Sequence, residues 1–395
     1  MRKLVLTILA LVVIGSVYAQ KGSVSKATGY LGKGDYANAK AEIDVAITIE
    51  KNAAKAKTWF ERAKIYQAIA TNEDATVRDI DTDATTKAAE AFAKVEELEK
   101  EGSATVMVAN ANKETMWGYF LNLGGDNYGK QAYDVAYKNF TDALIVKPGD
   151  STTTFYAGIS AQQGELFDEA LMHFYSLDKR DLAGEDVYSS MIYIERAVKK
   201  DEEKALAAVR RAKEKFPDNK TYSQEEVSIL INLKKLDEAK DQAIASIEKD
   251  PGNVNLRLNL AIMYDHIGSE TTGDEAKENY GKALEQYLEV IEIEPENYVA
   301  NYNAGAIYIN NAKEYYDEVR DMDLATYNKK GEALTKKGDE ILVNGLPYME
   351  KAVQIKEDVD GVTALMQMYK QLKNFDKAEQ LLGKLDELEA AAGGE

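Results

Sequence analysis

Along most of the chain apolar residues return with the period of one face of an α-helix, and small residues interrupt them at regular places. From Ser151, the pattern predicts one helix carrying Ala157, Gly158 and Ala161 and a second carrying Phe167, Ala170 and Phe174. Leu260, Ala261 and Tyr264, then Ala283, Tyr287 and Pro295, repeat the arrangement, and Ala304, Gly305 and Tyr308 begin it again. Prolines supply the punctuation: Pro217 and Pro251 lie 34 residues apart, and Pro148 lies 69 before Pro217. Each falls between two helical patterns, where a residue that cannot continue a helix belongs. Two antiparallel helices nest closely only where small side chains sit at the crossing and a ring fills the space beside them. One such hairpin leaves an apolar face bare, so copies must stack on one another.

This order of aromatic, small-residue pair, tyrosine, small residue, aromatic and proline resembles the tetratricopeptide (TPR) signature. The resemblance implies an all-α fold, a TPR-type alpha-alpha superhelix of about nine helix-turn-helix repeats spanning residues 20–389. Units are expected to begin near Val24, Ala54, Lys113, Ser151, Glu185, Lys220, Val254, Tyr298 and Asp360. Two depart from the signature, with Tyr193 in place of a small residue and Ala243 in place of an aromatic. Insertions are expected at 71–86, 124–129, 269–278 and 311–344, and a flexible tail at 390–395. The insertion at 311–344 is charged and helix-prone, which predicts two helices prolonged into a protruding hairpin. Its close, Leu346-Pro347-Tyr348-Met349-Glu350-Lys351-Ala352, is similar to exported TPR proteins of Bacteroidetes.

The N-terminus carries the features of a secretion signal. Arg2 and Lys3 precede an apolar stretch from Leu4 to Val17, too short for a comfortable membrane span, and Val17-Tyr18-Ala19 fits a cleavage site. Residues 1–19 are therefore expected to be a signal peptide, with no membrane insertion after its removal. Cysteine is absent, which excludes disulfides, a thiol nucleophile and a lipid-anchored cysteine. The expected location is the periplasm or the exterior, as a soluble protein that is not a lipoprotein. A net charge of −19 disfavours nucleic acid and anionic surfaces and favours a neutral or basic protein or peptide partner.

Chemistry-bearing motifs are few, and the expectation is of a chain without catalytic residues or cofactor. His173 and His266 are the two histidines, three units apart. Gly124 to Gln131 imitates a phosphate-binding loop, but Gln131 stands where a hydroxyl must hold magnesium, so a Gly-rich turn between helices is expected. Asp79, Asp81, Asp83 and Glu90 match the acidic places of an EF-hand calcium loop, although Ala84 replaces its glycine. The competing reading is an acidic loop whose Asp83 caps the next helix.

In TPR proteins, places two, five, nine and twelve of each first helix line a concave groove. Carried over from the resemblance, these places in five central units include Phe155, Ile159, Ile194, Gln224, Leu258, Ile262 and Tyr302, with Asn259 and Asn303 at matching sixth places. Only Asp265 of the stripe is charged. A peptide or protein segment is the expected occupant, and the expected role is a non-catalytic scaffold in the cell envelope. The alternative is a glycan-binding protein related in scaffold to starch-binding outer-membrane proteins, whose mark would be several ring faces exposed in one cleft.

Overall fold

The computed structural model describes residues 22–392, so the expected signal peptide lies outside the described residues. The chain divides into two compact units, Met1–Ile194 and Glu195–Glu395. The first holds α1 (Val24–Leu31) and α2 (Tyr36–Ala46), the one-turn α3 (Glu50–Ala53), and α4 (Ala56–Ala70). The one-turn α5 (Ala75–Arg78) leads to α6 (Ala84–Leu98), the partner of α4. Then come α7 (Ala104–Gly129) with α8 (Tyr133–Val146), α9 (Ser151–Gln163) with α10 (Phe167–Lys179), and α11 (Glu185–Tyr193).

The second unit holds α12 (Glu202–Lys215), then α13 (Thr221–Asn232) with α14 (Leu236–Lys249) and α15 (Val254–Glu270) with α16 (Gly273–Ile293). Next is α17 (Tyr298–Arg320), which the one-turn α18 (Leu324–Thr326) connects to its partner α19 (Glu332–Ile355). The last pair is α20 (Val359–Gln371) with α21 (Phe375–Ala392). Within each unit the second helix of a pair packs on the first helix of the next, as α8 does on α9 and α16 on α17. This is an all-α, TPR-type arrangement, and it follows from the small residues. A Cβ built on Gly158 of α9 would come 2.6 Å from the fully buried Phe174 ring of α10. Ala157, Ala161 and Ala170 are all buried beside that crossing.

The turns inside the pairs share one backbone device. Gly34, Gln131, Glu165, Lys234 and Lys373 have φ between +58° and +71°. In each the next residue's N–H reaches back five residues, as from Leu166 to the Ala161 carbonyl at 2.8 Å and from Lys235 to Leu230 at 2.9 Å. This bond closes the frayed end of the first helix and reverses the chain. Side-chain caps open the first helices: Ser23, Ser103, Asp150, Asn253, Asn297 and Asp358 each accept an N–H of the first turn.

Several expected boundaries are corrected. The third pair begins at Ala104 rather than near Lys113, because Ser103 caps it there. Residues 124–129 are not a turn. Helix α7 runs through Gly129, and Gly124 is present because its Cβ would lie 2.7 Å from the Phe140 ring. Residues 269–278 are helical apart from a break at Thr271–Thr272, so the extra length prolongs α15 and α16. Helix α21 continues to Ala392, into the segment expected to be a flexible tail. Residues 311–344 form the far ends of α17 and α19 and the connection between them. Just outside this segment Tyr308 and Tyr348 stack with ring centroids 5.9 Å apart, and within it the Tyr316 hydroxyl donates to Asp339 at 2.7 Å.

Candidate functional site

The predicted stripe residues fall into both units. In the first, Phe155 and Ile159 lie half-buried on α9, and Phe155 meets the Tyr156 ring edge-on at 5.5 Å. Ile194 is fully buried at the start of a π-helical turn, Ile194–Val198, so it packs inside the protein and cannot contact a partner. In the second unit the amide of Gln224 donates to Asn253 at 3.1 Å, which joins two successive first helices. Leu258 packs against the apolar cluster of α15 to α17, and Asn259 beside it is half-buried. Ile262 stands out as 46% exposed. Tyr302 stacks on Tyr298 at 5.8 Å and packs against the apolar cluster that α20 and α21 share.

Asn303 is engaged internally, its amide donating to the Tyr287 hydroxyl at 3.0 Å. That hydroxyl also feels Asp265 of α15, and burial together with the carboxylate pushes the Tyr287 phenol well above the ordinary tyrosine range. Burial likewise raises the Asp265 carboxyl, against the pull of His266. The first helices of the second unit thus present an apolar residue, Ile262, and one half-buried acid, Asp265, beside amide groups.

The calcium candidate does not assemble. Asp81 is occupied by Lys87 at 2.6 Å and Lys40 at 3.4 Å, while Glu90 points outward from α6. Among the described residues no three acidic or histidine side chains gather as a metal site. Asp83 stands at the N-cap of α6, but its carboxylate makes no capping bond, so the capping role also fails. Instead Asp81 ties the segment before α6 to the first two pairs. Lys40, Arg62 and Lys87 surround the Tyr66 ring at 4.5 to 6.0 Å, and the Tyr66 hydroxyl donates to Asp44 at 2.7 Å.

His173 and His266 lie in different units. His173 is buried edge-on to Tyr137 at 5.8 Å, its Nε2 has no hydrogen-bond partner, and burial holds its pKa below the usual value. His266 is exposed, 3.8 Å from Glu270.

One cleft escaped the sequence reading. It lies between α7, α8 and α9, measures about 470 Å³, and is lined by Leu121, Asn122, Asp126, Tyr128, Phe140 and Tyr156 among others. Its signal was the Gly-Gly-Asp-Asn-Tyr run, which reads as a turn until the helix is seen to continue through it. Three rings line the cleft, but Phe140 is buried beneath the others, so Tyr128 and Tyr156 are the rings offered to a ligand.

No protein-family model and no curated protein matches the chain. Among solved structures it is similar to YrrB, described as a TPR protein with an unusual peptide-binding site, at 24% identity and a TM-score of 0.36, over 54% of this chain and 96% of that one. It is similar to a TPR repeats protein from Bacteroides fragilis NCTC 9343 at 20% identity and a TM-score of 0.28, over 66% and 98% of the two chains. Yeast Tom70 shares 15% identity at a TM-score of 0.33, over 92% and 84%. The chain's own paired helices, their small-residue crossings and their recurrent turns give it an all-α architecture of TPR type.

Proposed function

We propose that this protein is a non-catalytic scaffold of the cell envelope, exported by its N-terminal signal, that holds an extended protein or peptide segment against the first helices of its repeats. The observation that carries the reading is the face of α15 on which half-buried Leu258 and Asn259 lie one turn before the exposed Ile262. On a chain of net charge −19 this surface is apolar and amide-bearing, and Asp265 is the charged member of its stripe. Such a face suits a segment whose side chains enter shallow pockets while its backbone meets amides. An acidic segment would be repelled by the field of the whole chain, so a neutral or basic one is the fitting occupant.

The test is selection from a displayed library of random peptides on the purified chain, repeated with Ile262→Glu. Selected peptides should lose binding by about tenfold or more when that exposed isoleucine becomes a charge, the usual cost of a disrupted contact centre. Peptides that bind the variant as well would place the partner elsewhere. Fractionation of the source cells tests location independently: recovery with the cytoplasm would refute export. The alternative, a glycan binder, would be marked by several ring faces exposed in one cleft, and the cleft between α7 and α9 offers Tyr128 and Tyr156.

A further inference from the structure

We propose that the cleft between α7, α8 and α9 of the first unit is a subsite for a cationic side chain, a lysine or arginine of a peptide segment bound there. The inference rests on the peptide-binding reading above and gives it a recognition chemistry.

The cleft exists because two adjacent glycines do different things. Gly124 lets α7 approach α8 until only the Phe140 ring fits between them. Gly125 faces open space: a Cβ built there meets no atom within 4 Å, and Gly125 belongs to the cleft wall. Phe140 then serves as a floor on which Tyr156 of α9 stacks, with centroids 5.7 Å apart and planes 19° from parallel. Tyr156 is 43% exposed, with Phe155 set edge-on to it at 5.5 Å. Tyr128 closes the other side, held edge-on by Tyr133 at 5.4 Å.

Asp126 carries the one formal charge among the lining residues, and Asn122 and Thr152 add neutral hydrogen-bonding groups. Ring faces attract cations through the aromatic quadrupole, and a carboxylate at the rim adds a direct ion pair. The chain uses this chemistry internally: Lys147 sits over Trp117 at 4.2 Å and Lys377 over Tyr369 at 4.7 Å. None of the cation-ring pairs found among the described residues falls on Tyr128 or Tyr156, the two rings the cleft offers. An anion would meet Asp126 and the field of the chain. A purely apolar side chain would leave that carboxylate unanswered.

Two measurements on the full chain test the assignment. In the first, peptides selected from the random library are remade with lysine, arginine, norleucine or glutamate at each position. One position should prefer lysine or arginine over norleucine by about tenfold, as a ring contact combined with an ion pair implies. Asp126→Asn and Gly125→Leu should abolish that preference while leaving the other positions unchanged. Gly125→Leu fills the cleft from an open helical site, so it should fold at least as well as the parent, which a melting curve checks.

In the second, Nα-acetyl-lysine methylamide is titrated against the chain while the ring protons of Tyr128 and Tyr156 are followed by NMR. Shifts confined to these rings and lost in Asp126→Asn support the subsite. Peptide binding with no basic preference, or a preference that survives both variants, overturns it while sparing the scaffold reading. Failure of every peptide to bind defeats the scaffold reading, and the titration then decides the cleft alone. No ring shift with the lysine derivative, or shifts with maltose in its place, overturns the cationic assignment.

Discussion

Replacing Gly158 by alanine sets two known effects against each other at one atom. A Cβ at this position would lie 2.6 Å from Cε1 and 2.9 Å from Cδ1 of Phe174, well inside contact distance. Phe174 is fully buried, with Ala157, Ala161 and Ala170 close around the crossing, so its ring has little room to retreat. Overpacking of this kind costs about 1–3 kcal/mol. Alanine returns about 1 kcal/mol through its better helix propensity. The expected net loss is about 0–2 kcal/mol, confined to α9 and α10.

Global melting is a blunt readout for stacked repeats, which need not unfold as one. Native-state hydrogen exchange of the α9 and α10 amides, with those of α15 and α16 as the internal standard, measures the local change. Gly158→Ala should also be coupled to Phe174→Leu. With the ring shortened the clash is gone, so alanine should become neutral or stabilising in that background, with a coupling of about 2 kcal/mol. If Gly158→Ala alone raises protection by the full helix-propensity gain, small-residue nesting is not what closes this pair.

Ala170→Glu, which drives a charge into the same fully buried crossing, should cost several kcal/mol by the same exchange measurement. His173 has a folded pKa lowered by burial, so the unfolded state binds its proton more readily. Its contribution is therefore intact above about pH 6.5 and lost as pH falls below that toward the folded value, and His173→Gln should flatten this part of a stability-pH curve. Burial raises the Asp81 carboxyl, but Lys87 and Lys40 outweigh it and hold the group below the usual range, so its contribution is lost only as pH falls below about 4. Asp81→Asn should cost about 1–2 kcal/mol, discounted because both lysines are partly exposed, and should hasten proteolysis between α5 and α6. Lys234→Gly should raise stability by about 0.5 kcal/mol, since glycine relieves a left-handed backbone at some cost in unfolded-chain entropy.

The architecture was legible because its requirement is local and repeated. Where a ring fills the crossing of a helix pair, a small residue must stand opposite it, so Gly158 of α9 facing Phe174 of α10 leaves a mark in the sequence. The intra-pair turns were not legible. Their left-handed residues include Gln131, Glu165, Lys234 and Lys373, side chains with no preference for that conformation. There the six-residue hydrogen-bonded closure selects the backbone and the side chain merely tolerates it. The start of α7 was missed for a related reason, since Ser103 and the alanine-rich run after it carry none of the aromatic signature.

Site residues depend on a second layer of information, namely which face of a helix its neighbour covers. The resemblance to TPR proteins puts Ile194 and Ile262 in one class, yet packing buries the first completely and leaves the second nearly half exposed. The same applies in reverse to the cleft beside α7. Two consecutive glycines signal a chain reversal, and the residues around them were read accordingly as a loop. Inside a helix the two face different ways, Gly124 toward Phe140 and Gly125 toward open space. Gly124 leaves room for a ring on α8 to which no short-range rule relates it, and the continued helix carries Tyr128 to the same cleft as Tyr156. Recognition chemistry in a stacked-helix protein is therefore written between pairs, at distances where a single chain position carries no mark of its partner.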